Sequence, residues 1–89
     1  MEKEWTVYIL ECADGTLYTG ITDDLGRRLR AHETGKGAKY TRGRGPLTLM
    51  HQEVYPDKSS ALKREYELKR LRRDEKLAII NKNNEESRV

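Results

Sequence analysis

An arginine and a histidine lie on the core-facing side of a short helix predicted over residues 25–33. Helical rotation of about 100° per residue places Arg28 and His32 on the apolar face, whereas Arg27 and Arg30 face the solvent. An inward arginine is unfavourable unless it is paired or lines a cleft. A guanidinium can bind phosphate oxygens and an imidazole can move protons near neutral pH. The pattern therefore indicates a cleft beside this helix.

A glutamate lies within an apolar arc of a second helix, predicted over residues 61–72. The residues that mark the arc are Ala61, Leu62, Tyr66 and Leu68. Glu65 and Lys69 fall inside it, four residues apart. Two interpretations stay open: an ion pair at the border of the helix, which contributes little, or a carboxylate held in a cleft to bind a metal. The helix alone favours the ion pair.

Two tyrosines lie on neighbouring strands of a predicted hairpin. A three-residue loop, with Gly15 in a left-handed bulge, pairs Tyr8 with Gly20 and places Tyr8 and Tyr18 on one face. A two-residue loop would place the two rings on opposite faces. We predict the three-residue loop, which leaves room beside Tyr8 because Gly20 has no side chain.

The elements that must position these residues follow the order β-β-α-(loop or short helix)-β-α-α. Alternating β-branched and aromatic runs predict strands at residues 5–11, 17–22 and 47–55. Capping residues predict the starts of the helices: residues 22–24 for the first, and Ser59 or Ser60 for the second. A last helix covers about residues 74–82. This pattern indicates an α+β domain with a small three-stranded antiparallel sheet flanked by helices.

Composition sets the class of protein. The length predicts one domain over residues 1–82 and a frayed C-terminal tail over residues 83–89. No apolar run is long enough for a membrane span, and the N-terminus lacks the pattern of a signal peptide. The single cysteine, Cys12, allows no internal disulfide, which fits a reducing cytoplasm.

Positive charge is concentrated in the middle of the chain. Residues 26–46 carry seven basic side chains and one acidic side chain, whereas the whole chain has a formal net charge of +3. Such a segment suits a polyanion such as nucleic acid. Charge alone leaves a solvated basic face about equally plausible.

Taken together, the strands and the first helix resemble the GIY-YIG nuclease superfamily. Its two motifs correspond to Thr6-Val7-Tyr8 and Tyr18-Thr19-Gly20, and the segment from residue 21 to His32 is similar to the strand-to-helix segment of the family. Ala61 with Glu65, and Leu68 with Lys69, resemble its metal-binding helix. The resemblance covers about residues 5–80 and is closest to short, stand-alone bacterial members of poorly defined function.

The resemblance implies a set of catalytic residues in a cleft: Tyr8, Tyr18, Arg28, His32 and Glu65. It further implies that Glu65 holds one Mg²⁺ or Mn²⁺ ion and that Arg28 stabilises charge on the phosphoryl oxygens. Tyr8 is our first choice for the base, with its pKa lowered by Arg28 and the metal. His32 as the base, or as a residue that positions Tyr8, stays an alternative.

The implied activity is metal-dependent hydrolysis of phosphodiester bonds in nucleic acid, without strong sequence specificity. DNA is the expected substrate, and the sequence does not distinguish DNA from RNA. The residues expected to bind the nucleic acid lie in the basic loop: Lys36, Lys39, Tyr40, Arg42 and Arg44. A domain this small is expected to obtain selectivity from the shape of the nucleic acid, a partner protein or a homodimer.

Two other functions remain as alternatives. The first is a nucleic-acid-binding module without catalysis on the same scaffold. It is favoured by Thr6-Val7 in place of Gly-Ile and by Leu77 where some members carry an asparagine after the glutamate helix. The second is a protein-interaction domain that docks a partner on its charged C-terminal helices.

Overall fold

Three strands and three helices form the fold of the protein, seen in a computed structural model that describes residues 3–37, 41 and 43–86. The strands are β1 (Trp5–Glu11), β2 (Leu17–Thr22) and β3 (Thr48–Tyr55). The helices are α1 (Leu25–Glu33), α2 (Lys58–Lys69) and α3 (Arg73–Glu86). The predicted α+β class and element order are confirmed. The short helix predicted near residues 38–41 lies outside the described residues except for Thr41.

The sheet has the order β2-β1-β3, with both pairs antiparallel. The hairpin has the predicted register, in which Tyr8 pairs with Gly20 and Leu10 pairs with Tyr18. Gly15 has a φ of 84°, the left-handed conformation that the three-residue loop requires. Turn chemistry therefore places both tyrosines on the same face of the sheet.

Helix boundaries follow the side chains that cap them. Asp24 caps α1, accepting a hydrogen bond from the backbone N–H of Arg27 at 3.1 Å. The predicted cap of α2 was wrong: Asp57, not Ser59 or Ser60, accepts from the backbone N–H of Ser60 at 2.7 Å. Because Asp57 satisfies this donor, α2 begins earlier than predicted, at Lys58, and it ends at Lys69.

Helices cover both faces of the sheet. Successive strand residues point to opposite faces, so Val7 and Ile9 face away from Tyr8. Val7 and Ile9 pack with Ala61 and Leu68 of α2 and with residues of α3, and together they form the main core. The opposite face carries Tyr8, which contacts α1. No helix in the described part of the chain has both the length and the apolarity to cross a membrane.

The inward face of α2 differs from the predicted arc. Leu62 and Tyr66 are 43% and 63% exposed, whereas Ala61 and Leu68 are fully buried. The sequence spacing of seven places Ala61 and Leu68 two helical turns apart on one face, so Glu65 between them is half-buried. Glu65 thus faces partly inward as expected. Leu62 and Tyr66, two of the four apolar residues that define the predicted arc, face the solvent.

Candidate active site

A buried hydrogen-bonded chain links the first strand to the first helix and then to the basic loop. The Tyr8 hydroxyl lies 2.9 Å from His32 Nε2, and His32 Nδ1 lies 2.9 Å from Thr41 Oγ1. Burial, and then the charge of Arg28, lower the pKa of His32 below its usual 6.5, so the ring is neutral at pH 7. A neutral ring has one N–H, so when Nδ1 donates to Thr41, Nε2 can accept from the Tyr8 hydroxyl.

Arg28 lies against both tyrosines, as its predicted inward position requires. Its guanidinium is close enough to the Tyr8 and Tyr18 hydroxyls to interact with both, and the interaction with Tyr8 is the main reason that the pKa of Arg28 is raised. Among the described side chains, no carboxylate lies within 4.0 Å of this guanidinium. Arg28 therefore keeps an uncompensated positive charge that can bind an anion.

Tyr8 is covered completely, and its pKa moves opposite to the expected direction. Burial raises the pKa of the Tyr8 hydroxyl above 10, and the hydrogen bond from Arg28, which lowers it, is the weaker effect. The Tyr18 ring lies beside it at 6.3 Å between centroids and packs edge-on against His32 at 5.4 Å. Tyr18 is half-buried, so it is the tyrosine of the pair that faces the solvent.

Two glycines make the close packing of these rings possible. A Cβ at Gly20 would lie 2.7 Å from the Tyr8 hydroxyl oxygen, so Gly20 leaves the room that the hairpin register predicts. A Cβ at Gly37 would overlap the imidazole of His32. Larger residues at either position would displace the buried Tyr8–His32 pair.

Glu65 is close enough to this group for its charge to raise the pKa of Tyr8. Its side chain is 18% exposed and pairs with Lys69 at 3.3 Å, so the ion pair considered at the sequence level is present. The described residues contain no cluster of three or more histidine, cysteine, aspartate or glutamate side chains that could hold a metal. A partly exposed carboxylate whose charge acts on the Tyr8 hydroxyl nevertheless fits Mg²⁺ or Mn²⁺, since Mg²⁺ keeps several waters and needs few protein oxygens.

The basic loop lies beside the histidine end of the site. A cleft of about 500 Å³ is lined by His32, Thr41, Pro46 and their neighbours. Lys36 is exposed, whereas the Arg44 guanidinium pairs with Asp14 at 2.6 Å and ties the loop to the hairpin turn. The other three residues predicted to bind nucleic acid lie outside the described residues: Lys39, Tyr40 and Arg42.

Sequence reasoning did not identify Thr41 or Gly37 as part of the site. Thr41 is buried at 3% exposure, and its hydroxyl can accept from His32 Nδ1 in the tautomer that lets Nε2 accept from Tyr8. Both residues lie in or next to an irregular loop, where no periodicity shows which side chains face inward. The run of glycines around Gly37 was a signal of close packing as well as of a turn.

The sequence is similar to one protein family and to several small proteins. The family described as the GIY-YIG catalytic domain matches residues 4–85. A UPF0213 protein of Oceanobacillus iheyensis is 52% identical over 80 residues, which cover 90% of this chain and 93% of that protein. A UPF0213 protein of Halobacterium salinarum is 55% identical over 74 residues, which cover 83% of this chain and 96% of that protein. Neither name states an activity.

Two solution NMR structures are similar to this fold. The UPF0213 protein from Bacillus halodurans has a TM-score of 0.58 and 50% identity, with coverage of 88% of this chain and 83% of that chain. A protein from E. faecalis has a TM-score of 0.63 and 35% identity, with coverage of 93% and 92%. The similarity extends over nearly the whole length of all the chains compared.

Proposed function

The chain belongs to the GIY-YIG catalytic-domain family, and on this premise we propose that it is a divalent-metal-dependent endonuclease. The substrate that we propose is DNA, cut without strong sequence specificity. The observation that carries the proposal is the contact of Arg28 with both tyrosines, together with its lack of a carboxylate partner among the described side chains. An unpaired arginine at this position is suited to a phosphate.

Arg28 binds the phosphate and stabilises its transition state. Its guanidinium stays charged at any physiological pH and presents several N–H donors in one plane. Negative charge builds up on the phosphoryl oxygens during attack by water, and a fixed donor nearby stabilises that charge. The hydroxyls of Tyr8 and Tyr18 hold the guanidinium in place without neutralising it.

Tyr8 and His32 together take up the proton of the attacking water. Tyr8 accepts the proton as it passes its own to His32 Nε2, which avoids a free phenolate in a site where burial raises the pKa of Tyr8. His32 is neutral at pH 7 and so has an acceptor available. Because Tyr8 is fully covered, the half-buried Tyr18 and Arg28 must make room for the water.

Glu65 holds the metal ion in this proposal. A bound divalent ion supplies charge stabilisation at the scissile phosphate and at the leaving oxygen. Lys69 competes for the same carboxylate, because its ammonium lies 3.3 Å from Glu65. The ion pair with Lys69 holds the Glu65 side chain within reach of the site when no other cation is bound.

Sequence-independent affinity comes from lysines and arginines that contact phosphates. We propose this role for the basic loop, with Lys36 exposed and Arg44 shared with Asp14. From the sequence we propose the same role in nucleic-acid binding for Lys39, Tyr40 and Arg42. Selectivity then depends on nucleic-acid shape, a partner protein or a homodimer.

The test is a cleavage assay on labelled single-stranded, duplex and branched DNA and RNA, with Mg²⁺, Mn²⁺ or EDTA. We expect metal-dependent cutting of DNA that falls about 100-fold or more in Glu65→Gln, since metal stabilisation supplies several kcal/mol. Glu67→Gln is the matched control, because Glu67 is an exposed carboxylate on the same helix. It should keep activity within about threefold, as expected for a surface change.

A non-catalytic binding module is the second candidate, and two observations favour it: the complete burial of Tyr8 and the Glu65–Lys69 ion pair. Wild-type protein that binds DNA but never cuts it with any divalent ion would support this second candidate. Cutting that survives Glu65→Gln would show that the activity does not need this carboxylate.

A further inference from the structure

A second cavity adjoins the candidate site on the side of the edge strand β2. It has a volume of about 300 Å³ and is lined by Leu17, Tyr18, Thr19, Lys69 and Lys76. Tyr18 is thus shared between this cavity and the candidate active site. Neither lysine belongs to the basic loop, since Lys69 ends α2 and Lys76 lies in the first turns of α3.

The two lysines bring like charges together at this cavity. Lys76 is half-buried, and no described carboxylate lies within 4.0 Å of its ammonium. Burial, and then the positive charge of Lys69, lower the pKa of Lys76. Two neighbouring ammonium groups repel each other, so an anion placed between them would be bound favourably.

The only described carboxylate paired with Lys69 is Glu65, a residue of the candidate site itself. A cation that binds Glu65 would release Lys69 from this ion pair. The positive charge at the cavity would therefore be greater when a divalent cation occupies the candidate active site.

We propose that Lys69 and Lys76 form a phosphate subsite that binds a DNA backbone phosphate next to the one that is cut. The inference rests on the proposed function, because it takes the polyanion to be the nucleic-acid substrate. Ammonium groups bind phosphate oxygens without reading bases, so the subsite adds affinity and orientation but no sequence preference. It extends the nucleic-acid surface from the basic loop across Tyr18 to the end of α2.

The experiment measures binding of a short fluorescein-labelled single-stranded DNA in EDTA, by anisotropy at several KCl concentrations. The test variant carries Lys69→Gln and Lys76→Gln. The matched control carries Lys63→Gln and Lys82→Gln, which remove the same charge from exposed positions of the same two helices. Circular dichroism and thermal melting establish that both variants are folded.

We expect the test variant to bind about tenfold more weakly than the control. The slope of log affinity against log salt should become shallower by about 0.7 for each lost phosphate contact to a single strand. Equal losses in the two variants would overturn the subsite, since net charge would then explain the effect. A loss of affinity with an unchanged salt slope would overturn it as well.

Failure of the subsite and failure of the nuclease are distinguishable, because binding in EDTA does not depend on cleavage. If wild type cuts DNA and the two variants bind equally, the subsite is wrong and the activity stands. If wild type never cuts but the test variant alone loses affinity, the subsite stands and the activity is wrong. Wild type that shows no affinity for DNA would overturn both.

Discussion

A histidine, a tyrosine, an arginine and a glutamate occur together in two groups of side chains, with opposite results. The Glu53 cluster consists of His51, Glu53, Tyr55 and Arg64 and lies between β3 and α2. In it the carboxylate accepts from His51 Nε2 at 2.6 Å, from the Tyr55 hydroxyl at 2.5 Å and from Arg64 Nε at 2.9 Å. Each charge in this cluster therefore has a partner.

Charges in the candidate active site are not compensated in this way. Arg28 contacts two neutral hydroxyls, and Glu65 pairs with a lysine that is half exposed. Burial alone would raise the pKa of Glu53, but its three donors outweigh burial and lower the pKa to about 2. Residue types alone thus do not define a catalytic site, because the closed cluster contains them too. What distinguishes the candidate site is an arginine and a carboxylate that do not neutralise each other.

The largest expected effect comes from removing the uncompensated arginine. Arg28→Ala should lower the cleavage rate about 100-fold to 1000-fold, as expected when a charged donor to the transition state is lost. The melting temperature should change little, because Arg28 has no described ion-pair partner whose charge would be left buried. Single-turnover cleavage and thermal melting measure the two quantities.

Arg27→Ala is the control for this prediction, since Arg27 is exposed and lies next to Arg28 on the same helix. It removes equal charge and should leave the rate within about threefold. Equal losses of rate in the two variants would mean that the contact of Arg28 with the tyrosines has no catalytic significance. The lack of a carboxylate partner at Arg28 would then have no consequence for cleavage.

The next effect is on stability and belongs to the Glu53 cluster. The pKa of Glu53 is about 2 in the folded protein against an ordinary value of 4.5, so the folded state favours the ionised carboxylate. The stabilisation is fully present above pH 4.5 and is lost as pH falls toward 2. The difference corresponds to about 3 kcal/mol in the free energy of unfolding.

Urea unfolding at a series of pH values, in wild type and in Glu53→Gln, isolates this contribution from those of other carboxylates. The two stability curves should converge as pH falls from 4.5 to 2, because the glutamine cannot ionise. Arg64→Ala should lose about 2 kcal/mol at neutral pH, the typical effect of removing hydrogen bonds to a charged group. Parallel curves for wild type and Glu53→Gln would contradict the proposed origin of the low pKa.

The face of the sheet that carries the tyrosines could be predicted from sequence because its determinants are local. Loop chemistry around Gly15 sets the hairpin register, and the register places Tyr8 beside Gly20. Helical periodicity separates Arg28 from Arg27 in α1 for the same reason. Strand bounds for β1 and β2, and the bounds of α1, agree with prediction because clear capping and turn residues flank them.

The other face could not be predicted, because its determinants are distant in sequence. Arg64 lies inward on α2 since Glu53, eleven residues earlier on β3, accepts its hydrogen bonds. No periodicity within the helix indicates this partner, so the sequence pattern places Leu62 and Tyr66 inward together with Ala61 and Leu68. The contact of Thr41 with His32 likewise depends on how a loop folds back.

The smallest expected effect concerns the histidine of the candidate site. His32 must be neutral to accept a proton from Tyr8, and burial and Arg28 lower its pKa below 6.5. The cleavage rate should therefore fall as pH decreases through a value below 6.5, where His32 becomes protonated and Nε2 can no longer accept. His32→Gln should lose this acidic limb and cut about tenfold more slowly at pH 7, the equivalent of one neutral hydrogen bond.

His51→Gln separates this role from a general need for histidine, because His51 belongs to the closed Glu53 cluster on the other face. Its pH–rate profile should match that of wild type at temperatures where the variant is folded. If His32→Gln kept the acidic limb, proton uptake would have to be assigned to another group, with Tyr18 the next hydroxyl in contact with Arg28. If His51→Gln shifted the acidic limb of the pH–rate profile, the Glu53 cluster would influence the candidate active site. Pairing of its charges would then not isolate the cluster from the cleavage reaction.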